Sequence, residues 1–188
     1  MKKLIVQEWL TIDGFAAEKN GELNFFPHSE ADKYSDLDQL AFLETIDTVL
    51  LGRITYELFV AFWPTATNDQ EIIADKLNSL PKLIFSNTLP SAPWGKWPSA
   101  TVVKGDVANK IRKLKKEDGK DMVLWGSLSL AQSLIKENLV DEYHLRICPT
   151  AIGSGRNFFP DANRYFNLEL TSFKNYDSGT VLLHYQPK

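Results

Sequence analysis

The sequence predicts an α/β fold whose central sheet has about eight, mainly parallel, strands, helices on both faces and an antiparallel hairpin at its C-terminal edge. Strand-like and helix-like segments alternate through the middle of the chain. The runs at 49–51 and 121–126 are apolar almost throughout, as is typical of strands buried on both faces. The β-favouring segments 166–174 and 180–186 are joined around residues 177–179 (Asp-Ser-Gly), a turn signal.

The N-terminal part of the chain is predicted to hold one strand, one loop and one helix. Residues 3–10 are apolar and β-favouring. Turn signals at 13–14 (Asp-Gly) and 20–21 (Asn-Gly) predict a loop or a short hairpin over 11–28. Apolar residues at helical spacing then predict a helix over 29–44.

Residues 46–63 form the segment around which a ligand site is predicted. A buried strand reaches Gly52 and turns directly into a helix. Such a junction points backbone N–H groups and the positive end of a helix dipole at one spot, where an anion can bind. Asn68 and Glu71 have the spacing of a capping box and predict the start of a further helix that runs through Leu77.

Two short strands and a loop are predicted next. Residues 82–86 and 100–104 read as strands, and 87–99, with three prolines, two tryptophans and a glycine, reads as a loop. Asp106 is the predicted N-cap of a helix with an apolar seam at Val107, Ile111 and Leu114. The basic residues of that helix are either a solvated face or a binding patch: Lys110, Arg112, Lys113, Lys115 and Lys116.

The strand–glycine–helix pattern recurs in the second half of the chain. Residues 121–126 are a predicted buried strand that reaches a glycine, and 127–139 are a helix in which Ser129 and Gln132 suggest a second capping box. Residues 149–164 are predicted to be a loop. The strand before that loop is predicted to be half-buried because Tyr143, Leu145 and Ile147 alternate with Glu142, His144 and Arg146.

Composition excludes several classes of protein. The 188 residues predict a single domain over 1–188, and a net charge of −3 gives no indication of a nucleic-acid or membrane surface. The lone Cys148 cannot form an intrachain disulfide and fits a reducing cytoplasm, so a cytoplasmic location is expected. No apolar run approaches the roughly 20 residues that a bilayer-spanning helix needs.

Three strand ends carry groups that suit phosphate: 52–55 (Gly-Arg-Ile-Thr), 86–88 (Ser-Asn-Thr) and 126–129 (Gly-Ser-Leu-Ser). In open α/β sheets ligands bind beyond the carboxyl ends of the strands. The guanidinium of Arg53 matches the oxygens of a 2′-phosphate in a two-pronged geometry. Together these ends predict a dinucleotide site.

Other chemistries lack their motifs. The chain has no GxGxxG after a strand, no GxxxxGK[ST] and no GxSxG. Its three histidines, His28, His144 and His184, lack the spacing of metal ligands, so no metal is expected. Without a protein nucleophile or a metal, redox chemistry on a bound nicotinamide is the economical option.

The sequence resembles the RibD C-terminal-domain family, within the dihydrofolate-reductase-like fold, and in particular its small stand-alone bacterial members. The matching segments run in order along nearly the whole chain. They are Thr11-Ile12-Asp13-Gly14-Phe15, Leu51-Gly52-Arg53-Ile54-Thr55-Tyr56-Glu57, Pro81-Lys82-Leu83-Ile84-Phe85-Ser86, Trp125-Gly126-Ser127 leading to Leu130, and Leu139-Val140-Asp141-Glu142 leading to Pro149 and Gly153-Ser154-Gly155.

The resemblance implies a dihydrofolate-reductase-like sheet, NADPH as hydride donor and commonly a homodimer. It also implies which residues hold the cofactor. Gly52, Arg53 and Thr55 would bind the phosphates on the adenosine side, and Ser86 would lie near the 2′-phosphate. The pyrophosphate would be held by Gly126, Ser127, Leu128, Ser129 and Leu130.

Two carboxylates are candidate catalytic residues. The family pattern puts Asp13 at the edge of the nicotinamide pocket, although the same side chain is suited to capping the turn at Gly14. Dihydrofolate reductases place a carboxylate on the first helix, and Asp36 lies at a comparable distance before Arg53, with Asp38 nearby. In a closed apolar pocket such a carboxyl can supply a proton, whereas in the first turn of a helix it stabilises the helix.

The substrate half departs from the family pattern. Leu124 stands where riboflavin-pathway reductases of the family usually have Glu, Leu43 where they have a substrate-binding Arg, and Phe25 where a Trp is expected. The leading hypothesis is therefore an NADPH-dependent reductase of a small planar heterocycle, pterin-like or pyrimidine-like. The alternative is a module that binds or senses a nucleotide without turnover.

Overall fold

The computed structural model describes residues 1–26, 33–161 and 164–188. In these ranges the strands are β1 Leu4–Thr11, β2 Phe15–Ala17, β3 Ile46–Gly52, β4 Lys82–Phe85, β5 Ala92–Trp94, β6 Trp97–Val103, β7 Asp121–Trp125, β8 Glu142–Cys148, β9 Arg156–Asn157, β10 Leu168–Asn175 and β11 Val181–Pro187. The α-helices are α1 Lys33–Glu44, α2 Arg53–Val60, α3 Ala74–Ser79, α4 Val107–Leu114 and α5 Leu128–Lys136, and a short 3₁₀ helix spans Trp63–Thr65.

A nine-stranded sheet with the order β10-β11-β8-β1-β7-β3-β4-β6-β5 forms the centre of the fold. The strands from β8 to β6 in that order run parallel, and β10, β11 and β5 pair antiparallel with their neighbours. The predicted mainly parallel sheet and its C-terminal hairpin are both confirmed. β2 and β9 pair as a separate two-stranded sheet: β2 lies within 11–28, predicted as a loop or a short hairpin, and β9 lies within 149–164, where the prediction of a loop alone is wrong.

Helices cover both faces of the sheet, which explains the continuous apolar runs of the central strands. Leu50 and Leu124 belong to the core under α4 and α5, whereas Val49, Leu51 and Val123 belong to the core under α1 and α3. Side chains alternate between the faces of a strand, so a strand covered on both faces needs apolar residues at every position.

Two further predictions about strands are wrong in the structure. Part of the predicted loop 87–99 forms the β5–β6 hairpin, whose turn contains Gly95 at φ +58°. The strand β8 is not half-buried, because His144 and Arg146 are only 6% and 2% exposed. The guanidinium of Arg146 donates to Gln39 Oε1 of α1 at 2.9 Å, which shows that α1 covers the face predicted to meet water.

The helix ends also differ from the two predicted capping boxes. α3 begins at Ala74 rather than near Asn68, and Asn68 Oδ1 accepts the backbone N–H of Asp75 across the preceding loop at 2.9 Å. In α5 the side chain of Gln132 donates to Asn157 O of β9 instead of closing a cap with Ser129. Asp106 is the predicted cap that is confirmed, since its Oδ1 accepts the N–H of Asn109 at 3.0 Å. The predicted start of α1 at 29 lies outside the described residues.

Candidate functional site

A cleft of about 1150 Å³ opens at the carboxyl ends of β1, β3, β4 and β7. The three predicted phosphate-compatible strand ends all line this cleft, because parallel strands bring their carboxyl ends to one edge of the sheet. We call 52–55, 86–88 and 126–130 the phosphate side of the cleft. The predicted cofactor residues that line it are Gly52, Arg53, Thr55, Ser86, Gly126, Ser127, Leu128, Ser129 and Leu130.

Ser127 joins two of these strand ends. Its Oγ accepts the backbone N–H of Gly52 at 2.7 Å and donates to Thr55 Oγ1 at 2.8 Å. Ser127 has φ +57°, the left-handed region, which costs a non-glycine residue about 1–2 kcal/mol. Strain of this kind persists where surrounding contacts impose it and is concentrated at ligand sites. The hydrogen bonds of Ser127 thus connect the turn before α2 with the turn before α5.

Gly126 is required by both conformation and space. Its φ of +54° favours glycine, and a Cβ added to it would lie 3.0 Å from Thr55 Cγ2. A Cβ on Gly52 would in turn lie 3.2 Å from Ser127 Oγ. The two turns thus approach so closely that only glycine fits between them without displacing a neighbour.

Arg53 is at the N-terminus of α2 and is paired with a carboxylate of the same helix. Its guanidinium Nη1 donates to both carboxylate oxygens of Glu57, at 2.8 and 2.9 Å. Both side chains are nearly half exposed, at 44% and 48%. An incoming phosphate would compete with Glu57 for a cation that is accessible from solvent.

Ser86 shapes the third strand end by capping its own turn. Its Oγ accepts the N–H groups of Thr88 and Leu89 at 3.2 and 3.1 Å. Asn87 Oδ1 accepts the N–H of Gly105, which ties this turn to the segment before α4. The hydroxyl proton of Ser86 is then available to Thr88 Oγ1 or to a ligand.

The opposite part of the cleft, which we call the α1 side, is formed by Trp9, Phe26, Asp36, Gln39 and Arg146. The rings of Trp9 and Phe26 lie 5.1 Å apart, and the guanidinium of Arg146 lies 5.2 Å from the Trp9 ring. This side therefore combines flat apolar surface with a buried cation.

A polar network lies behind the α1 side. The side-chain amides of Gln7 and Gln39 exchange hydrogen bonds of 2.7 and 2.8 Å, and the indole N–H of Trp125 donates to Gln7 Oε1. Arg146 donates to Gln39 and to the hydroxyl of Ser35. Because these groups satisfy one another away from water, their positions in the cleft wall are fixed.

The structure separates the two candidate catalytic carboxylates. Asp36 is half-buried on α1 and lines the cleft. Asp13 is not among the lining residues; it accepts the hydroxyl of Thr11 at 2.6 Å and the N–H of Gly153 at 2.7 Å. These hydrogen bonds, first that of Thr11, hold the pKa of the Asp13 carboxyl below its usual range. The observed contacts of Asp13 hold together the turn after β1 and the loop after β8.

Two buried ionisable residues of the cleft wall, Glu8 and Arg146, were not among the predicted site residues. Glu8 is 6% exposed in the middle of β1, and burial raises the pKa of its carboxyl to about 8. The sequence held a signal for Glu8, a charged residue within the apolar strand 3–10, but none for Arg146, which lies on the face of its strand that was predicted to meet water.

Leu124 and Leu43 have no place in the cleft wall. Both are fully buried in the two hydrophobic cores. The positions at which the family pattern carries substrate-binding Glu and Arg therefore serve packing in this chain. Within the described ranges, His, Cys, Asp and Glu form no group of three that could hold a metal ion. No helix in those ranges has the length and apolar character needed to cross a membrane.

The fold and cleft define an α/β protein of the dihydrofolate-reductase-like class. The chain belongs to the RibD C-terminal domain family, whose profile matches residues 2–182. It is 32% identical to YyaP, an uncharacterized protein of Bacillus subtilis (strain 168), over 98% of this chain and 94% of that one.

Two solved structures show the same fold. A putative riboflavin biosynthesis protein from Shewanella sp. PV-4 superimposes with a TM-score of 0.78 at 21% identity, over 99% of both chains. Dihydrofolate reductase from Enterococcus faecalis, complexed with NADP(H), superimposes with a TM-score of 0.61 at 14% identity, over 99% of this chain and 96% of that one.

Proposed function

We propose that the protein is an NADPH-dependent reductase of a small planar heterocycle. One observation supports the proposal most. Three phosphate-compatible strand ends line one cleft, and the opposite wall of that cleft contains the aromatic rings of Trp9 and Phe26. A nicotinamide dinucleotide phosphate has the matching parts: a pyrophosphate, a 2′-phosphate and a flat ring. The dihydrofolate reductase with the same fold is complexed with NADP(H).

The residues of the phosphate side fit such a cofactor. Hydroxyls and backbone N–H groups at 52–55 and 126–130 would hold the pyrophosphate, and Gly126 allows the two turns to lie close together. Arg53 and Ser86 would hold the 2′-phosphate, the guanidinium through charge-assisted hydrogen bonds. When bound, the cofactor supplies a hydride to the substrate.

The α1 side would hold the substrate. Trp9 and Phe26 offer flat apolar surface to a planar ring, while Gln39 and Arg146 offer fixed polar groups to its edge. Arg146 supplies a buried cation in place of the Arg that is absent at Leu43. A heterocycle bearing carbonyl oxygens or an acidic group would complement these residues.

A titration with NADPH and with NADH, followed by quenching of tryptophan fluorescence, tests the cofactor, because Trp9 and Trp125 line the cleft. We expect saturable binding with a preference for NADPH. No binding at millimolar NADPH would overturn the proposal.

The reductase activity is tested by following NADPH oxidation with pterins, flavins, quinones and the phosphoribosylaminouracil intermediate of riboflavin synthesis. Oxidation with one of these compounds supports turnover. Binding of NADPH without oxidation by any of them would favour a nucleotide-sensing module, for which the burial of Leu124 and Leu43 in the cores is the specific observation.

We also propose that the protein is a homodimer. The edge strand β10 exposes Leu170 and Phe173, at 46% and 70%, on the outermost strand of the sheet. Apolar side chains in this position suit a symmetric contact with a second copy. Sedimentation of the wild type and of Phe173→Glu tests this, and a monomeric wild type would contradict it.

A further inference from the structure

Glu8 is an ionisable residue on a face of β1 whose neighbouring side chains are apolar. It lies in the middle of β1, opposite Leu145 of β8, and its neighbours on β1 on the same face, Val6 and Leu10, belong to the core under α5. Yet Glu8 is also one of the residues that line the cleft. The sequence therefore places an ionisable group where the hydrophobic core meets the ligand site.

The two oxygens of this carboxyl group are in different situations. Oε1 accepts the backbone N–H of Trp9 at 3.1 Å. Oε2 is buried and has no hydrogen-bond partner among the residues that the structure describes. A buried polar atom without a partner costs about 1–3 kcal/mol, so its retention in a cleft wall points to a ligand that completes it.

Burial also decides the protonation state of Glu8. Removal from water raises the pKa of its carboxyl to about 8 and outweighs the lowering effect of the Trp9 N–H. At neutral pH the group is therefore largely a neutral acid. Because Oε1 accepts a hydrogen bond, the proton belongs on Oε2.

The elements packed against Glu8 bring no charge to its side within the described residues. On β8, Leu145 is opposite Glu8, and the charged Arg146 pairs with Trp9 on the other face. Tyr143 is the titratable residue of β8 on the same face, and burial raises its pKa to about 12. The strand β2 contributes Ala16, and the first two turns of α5 carry no ionisable side chain.

We propose that Glu8 is the proton donor of the cleft: a rotation of its side chain brings Oε2, which is buried without ligand, to a ring nitrogen or carbonyl oxygen of a heterocycle that extends from the α1 side past β1; this rests on the proposed reductase function. The substrate C=N or C=O π bond breaks, its carbon accepts a hydride from reduced nicotinamide, and its nitrogen or oxygen accepts the proton of Glu8. Oxidised nicotinamide and the Glu8 carboxylate remain, and the carboxylate regains a proton from water.

The other carboxylates fit this role less well. Asp13 is bound to Thr11 and to backbone N–H groups outside the cleft wall. Asp36 and Glu71 line the cleft but are only half-buried. Glu8 combines a place in the cleft wall with the burial that keeps a proton on a carboxyl group at neutral pH.

The first experiment titrates the protein without ligand. Protein labelled with ¹³C at its glutamate carboxyl carbons is followed by NMR between pH 3 and pH 10, in the wild type and in Glu8→Gln. We expect one signal with a midpoint near pH 8 that is missing in Glu8→Gln. A midpoint for this signal near the ordinary value of 4.5 would overturn the proposal.

The second experiment uses a compound that the wild type reduces. Glu8→Gln keeps the size and neutrality of the side chain but cannot release a proton, so kcat is expected to fall roughly 100-fold or more, within the range of general acid catalysis. The Kd for NADPH, measured by the fluorescence titration, should change less than about threefold. The wild-type kcat should fall above pH 8, and Glu117→Gln, an exposed residue away from the cleft, should match the wild type.

The outcomes separate the two proposals. If no compound is reduced, the reductase function fails and the donor role of Glu8 fails with it. If a compound is reduced and Glu8→Gln retains the wild-type kcat and pH profile, the donor role alone is overturned. The wild-type pH profile keeps the test valid even if Glu8→Gln does not fold.

Discussion

The two sides of the cleft consist of different kinds of chemical groups. The phosphate side consists of turns at strand ends, where glycines, hydroxyls and backbone N–H groups lie near the surface. The α1 side and Glu8 consist of large or ionisable side chains, of which Glu8, Gln39 and Arg146 are buried and Trp9, Phe26 and Asp36 are half-buried. In the proposed reductase, cofactor binding would depend on backbone geometry, whereas the chemistry on the substrate would depend on the burial of a few side chains.

The largest expected effect concerns the protonation of Glu8 and the stability of the fold. Its pKa is about 8 in the folded protein and 4.5 ordinarily, so the folded state binds the extra proton between these values. The contribution of Glu8 to the free energy of unfolding is therefore fully present below pH 4.5. It decreases as the pH rises to 8, by up to about 1.4 kcal/mol per pH unit. Relative to Glu8→Gln, the wild type should lose several kcal/mol over this interval.

Urea unfolding of both proteins from pH 4.5 to 8.5 measures this difference. Comparing the two variants cancels the contributions of the other titrating groups, which they share. A difference in unfolding free energy that does not change with pH would show that Glu8 titrates normally.

The next effect concerns the close approach on the phosphate side. Gly126→Ala places a Cβ at φ +54° against Thr55, and should lower the unfolding free energy by about 1–3 kcal/mol and weaken NADPH binding roughly tenfold. Gly153→Ala is the matched control, since Gly153 has φ +70° but nothing within 4 Å of its added Cβ. Equal NADPH affinity in the two variants would argue against a cofactor site at this turn.

A smaller effect separates the two nicotinamide cofactors. Arg53→Ala should weaken NADPH binding about tenfold and NADH binding little, because only NADPH carries the 2′-phosphate. Arg112→Ala is a close control: Arg112 pairs with Glu137 at 2.7 Å and is 48% exposed, but lies outside the cleft wall. An equal loss for NADPH and NADH in Arg53→Ala would refute the role in 2′-phosphate binding.

The smallest expected effect on NADPH binding comes from breaking the ion pair between Arg53 and Glu57. Glu57→Gln removes the carboxylate that competes with a phosphate, so NADPH should bind about two- to fivefold more tightly at low salt, and less so at high salt. The same substitution at Glu137, the partner of Arg112, should leave the affinity unchanged. Weaker NADPH binding by Glu57→Gln would mean that Glu57 positions Arg53 rather than competing for it.

Sequence patterns predicted the elements that depend on local chemistry. The buried strands at 46–52 and 121–125, the cap at Asp106 and the C-terminal hairpin all follow from neighbouring residues. The β5–β6 hairpin was missed because its prolines and tryptophans form an edge strand through pairing that local propensity does not indicate. The start of α3 was placed too early because Asn68 caps it from across a loop.

For the candidate site, the sequence by itself determined the phosphate side: glycines, hydroxyls and an arginine at strand ends must meet at one edge of a parallel sheet. Only the tertiary structure decided the α1 side and the state of Glu8. Whether Arg146 and Glu8 are solvated or buried depends on which helices cover each face of the sheet. The free energy of desolvation, which sets the charge of Glu8, arises from residues distant in the chain, so the local sequence marks Glu8 as unusual without giving its charge.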